Sequence, residues 1–201
     1  MQPAPVNYLP RRALPRKTVE LAHYLIGKTL VRETSRRRII GRIVETEAYL
    51  PYDAACHAFN GPTPRNRSLF LERGHAYVYF IYGNHFMLNV SAGVAGIGSG
   101  VLLRALEPLA GLDLMRQDRG HVAQRDLARG PGRLAAALRI TSELDGADLC
   151  AQGPLWLGRS IRPVARIGRS VRIGIRKDAH RRWRFYERGS PFVSGPKYLR
   201  G

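Results

Sequence analysis

Two glutamates in the short stretch VETEAY have the chemistry of acid–base catalysts. If the stretch is a β-strand, its side-chain period of two places Glu45, Glu47 and Tyr49 on one face. A carboxylate in a basic, aromatic-lined cleft can act as a general base, whereas on a plain surface both glutamates would be ordinary solvated charges. The period alone does not choose between Glu45 and Glu47.

Two further segments carry groups that suit phosphate oxygens. The loop TPRNRS, residues 63–68, offers hydroxyls, two arginines and an amide, and Gly130-Pro131-Gly132-Arg133 opens a predicted helix with free backbone amides. Each segment is equally compatible with a plain solvated loop or a plain helix start. The candidate phosphate contacts are Arg65, Asn66, Arg67 and Arg133.

The stretch YVYFIYGNHFMLNV, residues 77–90, predicts a β-hairpin with an aromatic tip. Gly83-Asn84 between two aromatic-rich runs is a strong turn signal. The turn would expose Tyr82 and His85 to solvent, where an aromatic ring contributes little to folding. A functional contact is the alternative explanation.

The elements that must position these residues predict one α+β domain. A helix TVELAHYLI is expected with Thr18 as its cap and Gly27 as its stop. Further helices are predicted at GLDLMRQ and PGRLAAALRI. Strands are predicted at KTLVRET, RIIGRIVETEAYL, GVLLRALEP, WLGRS, VRIGIRK and WRFYERG. We expect the domain to span residues 18–201, after a flexible basic arm at 1–17.

Charge and cysteine content limit the possible partners. Lys and Arg number 33 against 15 Asp and Glu, a net charge of +18, and such a field attracts polyanions. Nucleic acid is the favoured partner, with an arginine-rich genome or acidic lipid as alternatives. No run of eighteen apolar residues and no signal-peptide pattern occur, so we expect a cytoplasmic protein, or a nuclear one in a eukaryote. Cys56 and Cys150 have no metal-ligand spacing.

Taken together, these stretches resemble the alkyladenine (3-methyladenine) DNA glycosylases, which remove damaged purines. ETEAY, YVYFIYG and VLLRALEP form a specific signature, and the likeness extends over residues 18–194. It is carried further by LVRE, TPRNR, LNVS, GPGRLAAAL and RFYERGSPFVS. The resemblance implies a curved antiparallel sheet with a protruding hairpin, similar to the C-terminal domain of a formyltransferase.

The resemblance also implies a mechanism in which the damaged nucleotide is flipped out of the duplex. Glu47 matches the catalytic base, which would deprotonate a water that attacks the sugar. Arg104 matches a residue that helps to hold this water, and the backbone carbonyl of Ile173 matches another. Tyr82 matches the wedge that fills the gap in the duplex.

Other matches concern the base pocket and the hairpin. Tyr49, His57 and Tyr79 match the aromatic groups that sandwich the flipped purine, and Asn89 matches a residue that disfavours guanine. For Tyr79 and Asn89 to share the pocket, we predict a bulge or a three-residue loop at 83–85, with residue 79 opposite residue 89 in the latter case. His85 at the tip would assist the wedge or face a phosphate.

The implied reaction ends at an abasic site, because no lysine falls in a matched pocket segment. We expect no metal or organic cofactor, and a monomer acting on duplex DNA that contains 3-methyladenine, 7-methylguanine, hypoxanthine or ethenoadenine. The main rival is a non-catalytic basic DNA- or RNA-binding module, including a tRNA binder on the formyltransferase scaffold. A helix-hairpin-helix glycosylase is suggested only by the glycines before one helix.

Overall fold

A curved antiparallel sheet organises the chain. The computed structural model describes residues 6–35, 37–81, 83–117 and 122–199. The strands are β1 Thr29–Glu33, β2 Arg38–Tyr49, β3 Ala76–Ile81, β4 His85–Ser91, β5 Gly100–Ala110, β6 Leu155–Gly158, β7 Ile167–Ser170 and β8 Arg184–Glu187. The helices are α1 Thr18–Leu25, α2 Leu112–Gln117 and α3 Pro131–Ala137, with short 3₁₀ turns between elements. The predicted single α+β domain with a curved antiparallel sheet is confirmed.

Strand β2 is the centre of this sheet. The strand order is β3-β4-β5-β2-β1-β6, and β8 pairs with β2 and with β7. One edge of β2 pairs with β5, while its other edge pairs first with β1 and then, at Glu45–Glu47, with β8. The β2–β5 register shifts on both sides of Glu45. Such irregularities bend a strand, and here two of them flank Glu45, two residues before Glu47.

The two faces of β5 separate the core from the candidate site. Val101 and Leu103 are fully buried in the main hydrophobic core beneath α1 and α3. Leu102 and Arg104 face the other way and line a cavity. Thr46 on β2 likewise turns to α1, where its hydroxyl donates to the carbonyl of Ala22 over 2.7 Å. The period of two thus leaves Glu45 and Glu47 on the cavity side.

Strands β3 and β4 form the predicted hairpin, with a loop one residue earlier than expected. Ile81 pairs with His85, so three residues, 82–84, connect the strands. The predicted length is confirmed, but the predicted position of 83–85 is wrong, because Tyr79 lies opposite Met87 and Asn89 opposite Tyr77. Since the pairing moves by two residues, Tyr79 and Asn89 still share a face. Tyr82 lies outside the described residues.

Two other local predictions need correction. Lys17 precedes the first residue of α1, so Thr18 is not the cap, and its hydroxyl instead contacts Ser99 over 3.3 Å. Gly27 follows α1 with a φ of 84°, as expected of a stop. VRIGIRK is not a strand; the strand is Ile167–Ser170. The backbone N–H of Ile173 donates to Glu47 rather than to a neighbouring strand.

The described part of the predicted N-terminal arm, residues 6–17, packs on the domain. Leu9 and Leu14 are buried in the main core, and Tyr8 forms a β-bridge with Gly158. Burial of the Leu9 and Leu14 side chains favours packing of this segment on the domain. At these positions the segment is held against the domain, while the division of the chain at residue 18 stays a prediction. No helix in the described part of the chain is long and apolar enough to cross a bilayer.

Candidate active site

Glu47 is a fully buried carboxylate with three hydrogen-bond donors. Its Oε1 accepts the backbone N–H of Ile173 over 2.8 Å. Its Oε2 accepts the Tyr49 hydroxyl over 2.8 Å and Nη1 of Arg104 over 3.3 Å. The fold thus brings together all three residues of the predicted catalytic set, although Ile173 contacts Glu47 through its N–H.

Arg104 joins Glu47 to the other glutamate of the strand. Its Nε donates to Oε1 of Glu45 over 2.9 Å, and its Nη2 lies 3.4 Å from the Ser194 hydroxyl. Burial alone would lower the pKa of Arg104, but the carboxylates of Glu47 and Glu45 outweigh burial and raise it. The guanidinium is therefore a permanent cation between two carboxylates.

Glu45 is occupied by internal partners. Besides Arg104, it accepts Nε of Arg184 over 2.7 Å and the backbone N–H of Ser194 over 2.6 Å. Burial opposes its ionisation, yet the charges of Arg104 and then Arg184 lower its pKa below the ordinary value. The strand period left Glu45 and Glu47 equivalent, and their partners now distinguish them.

A cavity of about 380 Å³ opens beside this cluster. Its size is in the range of small-molecule sites, with room for one nucleobase. Glu47 is not part of the cavity wall, but its three donors, Tyr49, Arg104 and Ile173, all are. The other lining side chains used below are His57, Tyr77, Tyr79 and Asn89.

Aromatic rings form a wall of this cavity. The His57 and Tyr79 rings have centroids 4.5 Å apart, and Tyr77 stacks on Tyr79 at 5.3 Å. Nδ1 of His57 lies 2.9 Å from the Tyr77 hydroxyl, and the Asn89 amide donates to the Tyr77 carbonyl over 3.3 Å. Burial, with a smaller contribution from Arg65, lowers the pKa of His57, which favours the neutral imidazole.

Sequence reasoning missed Tyr77, although a signal for it existed. In YVY the period of two places Tyr77 on the same face as Tyr79. Burial raises its pKa above the ordinary value for tyrosine, so its hydroxyl keeps its proton. It is the contact of Tyr77 with His57, across twenty residues of sequence, that no local pattern indicated.

A buried ion pair behind Tyr49 was also missed. The Arg172 guanidinium binds both carboxylate oxygens of Asp53, and neither side chain is exposed. Arg172 also donates to the Ala48 carbonyl over 3.0 Å, and its guanidinium carbon lies 4.6 Å from the centroid of the Tyr49 ring. Burial would lower the pKa of Arg172, but its bond to Asp53 raises it. The pair joins the loop after β2 to the loop that carries Ile173.

The candidate phosphate contacts divide into two groups. Asn66 is buried: its amide donates to the carbonyls of His57 and Gly61, and its oxygen accepts the N–H of Thr63. We therefore correct its assignment to a contact that shapes the loop, because a buried amide with these bonds does not reach a phosphate. Arg65, Arg67, Arg133 and His85 are exposed, as a phosphate contact requires.

The hairpin tip and the start of α3 lie close together. A Cβ on Gly132 would lie 2.9 Å from Cγ of His85, so the absence of a side chain at this position allows the approach. Arg133 is 3.6 Å from Asp126, and Pro131 lines the cavity. In the described part of the chain, no group of three His, Cys, Asp or Glu side chains is placed to hold a metal ion.

Comparison with known proteins gives this cluster a context. The family model described as methylpurine-DNA glycosylase matches residues 12–191. A relative from Mesorhizobium japonicum is 64% identical over 189 residues, which cover 94% of this chain and 91% of the relative. A relative from Paraburkholderia phytofirmans is 50% identical over 195 residues, covering 97% and 92%.

An archaeal relative, from Methanocella arvoryzae, is 46% identical over 191 residues, which cover 92% of this chain and 95% of the relative. All three relatives carry the provisional name 3-methyladenine DNA glycosylase. The matched residues include β2 with its two glutamates, the hairpin and the Ile173 loop. The chain therefore belongs to the methylpurine-DNA glycosylase family, a family of DNA glycosylases.

Proposed function

We propose that the protein flips damaged purines out of duplex DNA and hydrolyses their N-glycosidic bonds, leaving abasic sites. The observation that carries this proposal is the buried carboxylate of Glu47, whose three hydrogen-bond donors all line an aromatic cavity. A purine bound in that cavity would place its sugar next to the Glu47 carboxylate, which can act as a general base. This rests on the geometry and on the family to which the chain belongs.

Glu47 is the general base in this proposal. A carboxylate oxygen can accept two hydrogen bonds. Among the described residues, Oε1 accepts only the Ile173 N–H, which leaves one acceptor position for a water. Glu47 takes the proton of this water as its oxygen attacks C1′ of the sugar. The negative charge of the Glu47 carboxylate also offsets the positive charge that develops on the sugar as the glycosidic bond breaks.

Arg104 and Ile173 orient this carboxylate. Both donate to it, one to each oxygen, so its plane is fixed relative to the cavity. Donors and acceptors that are already fixed in place require no reorganisation energy during the reaction. The role of the Ile173 carbonyl in holding the water stays a prediction, and we assign the N–H of Ile173 to Glu47.

The aromatic wall selects damaged purines by stacking. Tyr49, His57 and Tyr79 line the cavity, and a cationic alkylated base is attracted to the π faces of such rings. A neutral His57 adds no positive charge that would repel it. Asn89, also in the wall, would crowd the 2-amino group of guanine. We expect 3-methyladenine and 7-methylguanine as substrates, with the uncharged bases hypoxanthine and ethenoadenine bound by stacking alone.

The hairpin and the exposed arginines hold the duplex in this scheme. Tyr82 is the proposed wedge, and the cross-strand contact of Phe80 and Phe86, with centroids 4.9 Å apart, stiffens the hairpin. Arg65, Arg67 and Arg133 would contact phosphates, as would His85. We expect the protein to act as a monomer, in the compartment that holds the chromosome.

The test compares base release with DNA binding in Glu47→Gln. The substitution keeps the size of the side chain and removes the base, so release of 7-methylguanine or hypoxanthine from a duplex should disappear while binding to an abasic duplex persists. Glu187→Gln, which alters a buried ion pair with Arg42 outside the cavity, is the matched control and should keep base release.

Two results would contradict the proposal. Base release that persists in Glu47→Gln would remove Glu47 as the base. Wild-type protein that binds normal and damaged duplexes equally and releases no base from either would favour the rival reading, a non-catalytic nucleic-acid-binding module.

A further inference from the structure

Glu45 lies where two buried arginines from different strands meet. Arg104 comes from β5 and Arg184 from β8, and both donate their Nε to the same oxygen, Oε1 of Glu45, over 2.9 and 2.7 Å. The other oxygen accepts the N–H of Ser194. Glu45 is itself completely buried, and so is Arg184. One carboxylate therefore links β2, β5, β8 and the segment around Ser194.

This arrangement determines which part of Arg104 reaches Glu47. Because Glu45 occupies Nε, the guanidinium is turned so that Nη1 faces Glu47 and Nη2 faces the Ser194 hydroxyl. Without Glu45, the planar fork of Arg104 would be free to bind Glu47 with two nitrogens, as arginine prefers. Such a two-nitrogen contact would occupy the carboxylate oxygens of Glu47 that must accept a hydrogen bond from the attacking water.

The charges of the cluster balance only when Glu45 is ionised. Arg104 pairs with both Glu45 and Glu47, and Arg184 pairs with Glu45. Arg172, in the loop after β7, also acts on Glu47 but is bound to Asp53, and Tyr49 donates a neutral hydroxyl. Among the described residues, loss of the Glu45 charge would leave Glu47 as the one carboxylate paired with Arg104.

We propose that Glu45 is a positioning residue for base release: it holds Arg104 by Nε, and it keeps Arg104 from neutralising Glu47. The inference rests on the proposed function, in which Glu47 is the base. Arg184 supports Glu45 from behind, because its other nitrogens bind the Ser170 hydroxyl and the carbonyls of Ser194 and Leu199. The C-terminal segment thus contributes to the geometry of the base.

The experiment measures single-turnover base release by Glu45→Gln from a methylated duplex between about pH 5 and 9. We expect the plateau rate to fall roughly a hundredfold, the typical effect of misplacing a catalytic group by about 1 Å. We also expect the acidic limb of the profile to move to lower pH. An Arg104 guanidinium no longer shared with Glu45 would favour the ionised form of the Glu47 carboxylate and make it a weaker base.

Two further variants separate positioning from structural loss. The shorter side chain of Glu45→Asp keeps the negative charge but holds it farther from Arg104. The plateau rate should therefore fall, while the acidic limb of the pH profile stays near that of the wild type. Glu45→Asp also provides the test if Glu45→Gln does not fold. Glu187→Gln removes a carboxylate from the buried Arg42 and should lower the melting temperature without moving the limb.

The failure of this inference is distinct from failure of the proposed function. If Glu47→Gln is inactive while Glu45→Gln keeps the wild-type plateau and limb, the role of Glu45 alone is overturned. A lowered rate in Glu45→Gln with an unmoved limb would make Glu45 a structural residue and also overturn it. Persistent base release in Glu47→Gln would instead remove the base on which both ideas depend.

Discussion

The Tyr49 hydroxyl donates a hydrogen bond to Oε2 of Glu47 over 2.8 Å, which ties a wall of the cavity directly to the buried carboxylate. The two side chains are neighbours on one face of β2. Burial, and then the negative charge of Glu47, raises the pKa of Tyr49 well above its ordinary value. The hydroxyl therefore stays protonated and remains a donor. A base stacked on the Tyr49 ring would lie at a fixed distance from Glu47.

Tyr49→Phe should slow base release without abolishing binding. The variant keeps the ring in the cavity wall and removes one donor from a charged acceptor. Such a hydrogen bond contributes about 1.5–3 kcal/mol, so we expect a loss of rate of roughly tenfold or more. Single-turnover assays and binding to an abasic duplex measure the two effects separately. Tyr8→Phe, whose ring stacks on Trp156 outside the cavity, is the control. Equal rates for Tyr49→Phe and wild type would show that the bond does not assist Glu47.

Arg172→Met should destabilise the fold as well as the site. It leaves the carboxylate of Asp53 buried without its partner, and breaking a buried pair in this way costs about 3–5 kcal/mol of unfolding free energy. Chemical denaturation measures the loss. Arg37→Met, which breaks an exposed and solvent-screened pair with Asp113, should cost far less.

A second comparison isolates the unpaired charge. The double variant Arg172→Met with Asp53→Leu removes both charges, and it should be more stable than Arg172→Met alone. If the single variant loses no more stability than Arg37→Met, the ion pair does not hold the two loops together.

Local patterns predicted most of the strands because the β-period and turn residues are local signals. The period in VETEAY placed Glu45, Glu47 and Tyr49 correctly, and Gly83-Asn84 marked the hairpin. The exact loop position failed, since the sequence does not encode which residue pairs with which across a hairpin when several registers bury the same face. Tyr79 and Asn89 share a face in both the predicted and the observed register, because the two registers differ by an even number of residues.

Contacts between distant segments could not be predicted from local sequence patterns. Asn66 looked like a phosphate ligand because polar loop residues usually face solvent, and its burial depends on carbonyls of His57 and Gly61 that fold over it. VRIGIRK had the composition of a strand, yet Arg172 donates to Asp53 and the N–H of Ile173 donates to Glu47 instead of to a neighbouring strand. Long-range hydrogen bonds and an ion pair determine these cases, and a periodic sequence pattern does not indicate such contacts.

The loop TPRNR should separate into a DNA contact and a structural residue. Arg67 is exposed, so Arg67→Gln should weaken duplex binding and reduce the slope of log K against log salt by about 0.9 if it neutralises one phosphate. Asn66→Ala should leave that slope unchanged. It should instead cost about 1–3 kcal/mol of stability, because buried backbone groups lose their partners. Salt titrations and thermal unfolding of both variants test this division. A reduced slope in Asn66→Ala would restore Asn66 as a phosphate contact.

The imidazole of His57 should titrate below the ordinary histidine pKa of about 6.5. Burial lowers its pKa first and the charge of Arg65 second, so the neutral form, bound to the Tyr77 hydroxyl, prevails at neutral pH. A depressed folded pKa adds stability that is present above the unfolded pKa and is lost as the pH falls through the folded value. Proton NMR of the ring, assigned with His57→Gln, gives the midpoint. Arg65→Gln should raise that midpoint by removing a nearby positive charge, whereas Arg67→Gln, in the same loop, should not. A midpoint at or above the ordinary value, or one unmoved by Arg65→Gln, would mean that the cavity does not hold His57 neutral and that its ring could repel a cationic base.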